Sequence, residues 1–116
     1  MQTNEASPEL VEIRGILDAH FPAVVMDHYG HVLAPGYLAS DGAYVGTVVV
    51  SHRGIFPSPA NGRTFQEAAQ EEINHVATYA RLLGEANWKL HHTGVTNRPR
   101  LLAYKGATPQ ERGFAV

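Results

Sequence analysis

Between Thr64 and Asn87 the chain reads TFQEAAQEEINHVATYARLLGEAN, and this stretch constrains the fold more than any other. Thr64 followed by Glu67 is the T-x-x-E pattern of a capping box, in which each side chain accepts an amide left orphaned at a helix start. Behind it Phe65, Ala69, Ile73, Val76, Ala80 and Leu83 recur at helical spacing, while Gln66, Gln70, Asn74, Arg81 and Glu85 fall opposite. Such a helix is about 30 Å long, the width of a small domain. Gly84 and Asn87 compete as its stop, and Asn87 is preferred. Strands on either side of the helix must build a sheet against its apolar face.

Before the helix, Ser7-Pro8-Glu9 starts an earlier one, with Ser7 as cap, Pro8 in the first turn, and Leu10, Ile13 and Leu17 as an apolar stripe. It must stop near His20, because Pro22 disfavours helix just before it. Ala23 to Met26 is a short β-like run, and His28 to His31 a turn. Val32 to Ser40 is a strand interrupted at Pro35-Gly36, which argues for an edge or a bulge. Asp41-Gly42 reads as a two-residue hairpin turn into the valine-rich strand Tyr44 to His52. Arg53 to Arg63 is a loop carrying Ile55 and Phe56 as a plug or contact point. After the long helix, Trp88 to Thr93 and Arg100 to Lys105 read as a strand pair. The predicted order is α-β-β-β-α-β-β: a single antiparallel sheet of four to five strands with two helices on one face. The chain is expected to be one α+β domain over residues 1–116, with 1–6 and 107–116 loosely ordered.

At 116 residues the chain is long enough for one core. The absence of Cys excludes disulfides and thiolate metal sites. No apolar run approaches the ~20 residues of a bilayer span. The first ten residues, MQTNEASPEL, do not read as a secretory signal, so a cytoplasmic location with no membrane partner is expected.

Seven histidines are many for this length. Glu72 and His75 form one E-x-x-H, but di-metal carboxylate proteins use that motif twice with further carboxylates. His91 and His92 are neighbours on a strand and face opposite ways. No metal and no cofactor are therefore expected. Gly-rich phosphate loops and a G-x-S-x-G elbow are both missing. Glu72, His75 and Tyr79 fall at i, i+3 and i+7 along the long helix. With a histidine such as His28 or His92 nearby, they are the candidates for a catalytic or small-molecule pocket.

Charge is unevenly divided. Residues 1–85 carry four Arg and ten acids, whereas residues 86–116 carry Lys89, Arg98, Arg100, Lys105 and Arg112 against Glu111 alone. Trp88, Lys89, His91, Arg98, Arg100, Tyr104 and Lys105 mix cations with aromatics, as surfaces that bind acidic proteins or nucleic acid do. Arg100 and Lys105 differ by an odd number of positions and so face opposite ways. The converging cations are thus few, which ranks an acidic protein partner above nucleic acid. The leading expectation is a small non-enzymatic binding module acting through this hairpin, helped by Ile55 and Phe56. The alternatives are a pocket binder or enzyme using Glu72, His75 and a nearby His, and a weak nucleic-acid binder. Homodimerisation through an exposed strand edge is a further possibility.

Overall fold

The computed structural model describes residues 6–95 and 98–105. Its elements are α1 (Pro8–Asp18), β1 (Val25–Met26), β2 (Val32–Ala34), β3 (Gly36–Asp41), β4 (Val48–Arg53), α2 (Phe65–Glu85), β5 (Lys89–Val95) and β6 (Arg98–Tyr104). The stretches 1–5 and 106–116, which cover nearly all of the loosely ordered termini expected from sequence, lie outside the described residues. Among the described residues no helix is long and apolar enough to cross a membrane.

Both helices begin as their caps dictate. The Leu10 amide donates to Ser7 Oγ at 3.1 Å. The Glu67 amide donates to Thr64 Oγ1 at 3.0 Å, and the Thr64 amide donates to Glu67 Oε1 at 2.9 Å, closing the capping box. α2 ends in a Schellman turn: the Asn87 amide reaches Gly84 O, the Trp88 amide reaches Leu83 O, and Asn87 takes a left-handed φ of 72°. That turn drops Trp88 into the core beside Leu83 and launches β5.

The single sheet expected from sequence is not what forms. The strands divide into a two-stranded sheet, β1-β2, and a four-stranded antiparallel sheet in the order β3-β4-β6-β5. The division falls at Pro35-Gly36. Pro35 has no amide to continue a ladder, so the strand expected over Val32–Ser40 breaks into β2 and β3. Gly36 is required because the backbone of residues 22–24 crosses it so closely that a Cβ would lie 2.5 Å from Ala23 C and Pro22 O. Hydrogen bonds from Val24 N to Tyr37 O and from Tyr37 N to Pro22 O fix that crossing and cover part of the β3 edge. The expected two-residue hairpin at Asp41-Gly42 is also replaced. Asp41 pairs with Val48, leaving residues 42–47 as a longer loop in which Val45 is exposed.

Register decides which residues face the helices. Tyr37 pairs with His52, Ala39 with Val50, and Val48 with Ala103, placing all of these on one face. They join Leu10, Ile13 and Leu17 of α1 and Val76, Tyr79 and Leu83 of α2 in one buried cluster. Both helices therefore cover the same face of the larger sheet. The alternation Val48, Val50, His52 carries a histidine into that otherwise apolar layer, where it is 3% exposed.

Candidate functional site

A buried imidazole needs a partner for each ring nitrogen, and His52 has two. Its Nδ1 lies 2.8 Å from Tyr79 Oη and its Nε2 lies 2.7 Å from Glu71 Oε2, both contacts reaching from β4 to α2. Burial pushes the His52 pKa down, and the neighbouring His75 and Arg63 charges add to this, while the Glu71 hydrogen bond and charge pull it back in part. The net shift favours the neutral ring. The arrangement that satisfies every atom has Nε2–H donating to the Glu71 carboxylate and the Tyr79 hydroxyl donating to Nδ1.

Glu71 is itself clamped. Burial alone would raise its pKa, but hydrogen bonds from His52 and Arg63 outweigh burial and hold the carboxyl below its ordinary range. Arg63 Nη1 lies 2.8 Å from Oε1, so each carboxylate oxygen has its own donor. The remaining Arg63 donors, Nε and Nη2, are buried without a partner among the described residues. Gly54 leaves room for the carboxylate: a Cβ there would stand 2.5 Å from Oε2.

His75 completes the cluster one helical turn beyond Glu71. Its Nδ1 is 2.9 Å from the Glu71 carbonyl oxygen. A carbonyl only accepts, so Nδ1 carries the proton and, in the neutral ring, Nε2 presents a lone pair. The His75 ring stacks on His52 at 4.0 Å between centroids and 14° between planes. One ligating atom from each of His52, Glu71 and His75 lies within 4.8 Å of the others. The molecule is thus a compact domain with surface ion pairs and a His–Glu–His cluster whose geometry is compatible with a metal or small ligand.

Tyr79 is not poised as a nucleophile. It is 1% exposed, and burial together with the Glu71 charge pushes its pKa up to about 12. Its hydroxyl orients His52.

The sequence-derived candidates separate into two groups. His75 and Tyr79 enter the cluster, whereas Glu72 is not among its grouped ligand atoms. Glu72 is half-buried beside Arg98 and Arg53, whose charges offset a pKa raised by burial. The carboxylate of the cluster is its neighbour, Glu71. Glu71, His75 and Tyr79 fall at i, i+4 and i+8, a spacing as legible in the sequence as the i, i+3, i+7 of Glu72, His75 and Tyr79. The partner histidine is His52, signalled by the valine alternation of β4. His28 and His92 are both exposed.

On the C-terminal hairpin, Trp88 is 4% exposed and inside the core, with Lys105 Nζ 4.7 Å above its ring and 2.8 Å from Glu12. Lys89, His91, Arg98 and Arg100 are exposed and Tyr104 half-buried. The register pairs Lys89 with Tyr104, His91 with Leu102 and Thr93 with Arg100, which puts these residues on the sheet face away from the helices. Ile55 is partly covered and Phe56 is exposed, its ring packed edge-on against Phe65. The chain matches no protein-family model, no curated protein and no solved structure.

Proposed function

We propose that the domain binds a divalent transition-metal ion through His52 Nε2, the Glu71 carboxylate and His75 Nε2, and that its function is exercised at that site. One observation carries the reading: each of the three ligating groups already has its own outer hydrogen-bond partner. His75 is oriented by the Glu71 carbonyl, His52 by Tyr79, and the Glu71 carboxylate by Arg63. Ligand histidines and carboxylates characteristically need such partners to fix their orientation. Two imidazoles and one carboxylate suit zinc, iron(II), cobalt or nickel rather than calcium or magnesium. This departs from the sequence-based expectation of no metal, which lacked Glu71 and His52 as ligands.

Binding requires His52 Nε2 to give up its proton. The Tyr79 hydroxyl makes this feasible, because it serves as acceptor once Nδ1 carries the proton instead. Arg63 adds a positive charge beside the carboxylate and weakens the attraction for a cation. An affinity near 1 µM, about −8 kcal/mol, is therefore expected rather than that of a closed structural zinc site. With three protein ligands, an ion would supply Lewis acidity and leave a position for water or a small molecule. Zinc titration by calorimetry tests this. One saturable site is expected in the wild type and in Glu72→Gln, and none in His75→Ala; no saturable heat in the wild type refutes the reading.

A second reading is favoured by the sheet register. Lys89, His91, Arg100 and Tyr104 share the open face, which fits an acidic protein surface. Replacing Arg98 and Arg100 by Glu would then abolish capture of such a partner, with circular dichroism unchanged; retention of every partner refutes it.

A further inference from the structure

Beside the His–Glu–His cluster, and sharing none of its ligands, lies a cleft of about 480 Å³ between the turn into β2, the loop after β4, the first turns of α2 and the start of β6. Its size is within the usual range for small-molecule sites. Its two ends differ in chemistry. At one end stand Ile55, Phe56 and Phe65; the two phenyl rings pack edge to face at 5.7 Å yet remain 67% and 70% exposed. Paired aromatic rings exposed at the rim of a cleft offer an apolar surface for a ligand to cover. At the other end stand Arg53, Arg98 and Glu72. Both guanidinium charges act on the Glu72 carboxylate, but among the described residues none of the three forms an ion pair. The loop wall is fixed in place. Asn61 Oδ1 accepts from the Ser58 and Arg63 amides, and Asn61 Nδ2 donates to Phe56 O, so the Phe56 backbone is held before any ligand arrives.

We propose that this cleft binds a free α-amino acid with an aromatic or large aliphatic side chain. Its carboxylate meets Arg53 and Arg98, its ammonium meets Glu72, and its side chain covers Phe56 and Phe65. The charge pattern selects a zwitterion. A simple carboxylic acid would satisfy the arginines but bring a negative charge against Glu72. A simple amine would satisfy Glu72 but face two guanidinium groups. A molecule carrying both charges at one end and an apolar body at the other answers the two arginines, Glu72 and the aromatic rings together.

The test is calorimetric titration of L-phenylalanine, 3-phenylpropionate and phenethylamine, with a chelator present so that the result is independent of metal at the neighbouring cluster. L-Phenylalanine should bind saturably and about tenfold more tightly than either fragment. In Glu72→Gln its advantage over 3-phenylpropionate should vanish, and in Arg98→Gln its advantage over phenethylamine should vanish. Both replacements sit at the cleft surface, and circular dichroism should confirm an unchanged fold. The proposal is overturned if L-phenylalanine gives no saturable binding to the wild type, if either fragment binds it as tightly, or if neither variant changes the order of affinities.

Discussion

The cluster between β4 and α2 and the hairpin β5-β6 each hold two histidines, and their surroundings make them different chemical objects. On the hairpin, His91 and His92 are both exposed and adjacent on one strand, so nothing holds them in a common geometry. In the cluster, His52 and His75 come from elements far apart in sequence, yet they stack at 4.0 Å around a shared carboxylate. Proximity in sequence thus separates the first pair, and the fold unites the second. Residue type sets what a side chain can do, but burial and the count of satisfied lone pairs set what it does.

The comparison can be broken most severely through the face of α2 that positions the cluster. Val76 is 2% exposed, and Val76→Asp buries an unpaired charge. A loss of about 4 kcal/mol or more, enough to unfold the domain, is expected by urea denaturation. Next comes Tyr79→Phe, which keeps the packing but removes the hydroxyl from His52 Nδ1. It should cost about 1–3 kcal/mol, because a buried nitrogen is left unsatisfied.

Acid sharpens the contrast further. The folded pKa of His52 lies below its ordinary 6.5, so between the two values the unfolded chain binds the extra proton. Stability from this group is complete above 6.5 and is lost as pH falls toward the folded value. Glu71, depressed below 4.5, loses its contribution only in stronger acid, as pH falls through its folded pKa. Glu72 is raised, so protonating it relieves a cost and acts in the opposite sense. The urea midpoint should therefore drop from about pH 7 to about pH 5.5. A midpoint that stayed level over this range would contradict the role given to His52. The smallest effect belongs to the basic residues. Arg100→Glu should change stability by no more than about 0.5 kcal/mol, since its side chain is exposed.

What could be read in the sequence was local. The capping box, the Asn87 stop and the Ser7-Pro8 start depend on neighbours a few residues away, and all form as expected. The sheet departs from the sequence pattern where a non-local contact decides it. Residues 22–24 cross Gly36, and nothing near Gly36 announces that crossing. The candidate site was half legible for the same reason. The helix supplied His75 and Tyr79, but choosing Glu71 over Glu72 depends on which side of α2 faces β4. That in turn depends on the register that turns His52 inward.

The central claim is that His52 and His75 are metal ligands through their Nε2 atoms. Ring-nitrogen NMR of the ¹⁵N-labelled protein, with and without zinc, reads this directly. Without metal, a proton is expected on His75 Nδ1 and on His52 Nε2. With one equivalent of zinc, both Nε2 resonances should move to metal-bound positions, the His52 proton should pass to Nδ1, and His91 and His92 should not shift. Unchanged His52 and His75 resonances at saturating zinc, or shifts confined to the hairpin histidines, would contradict it.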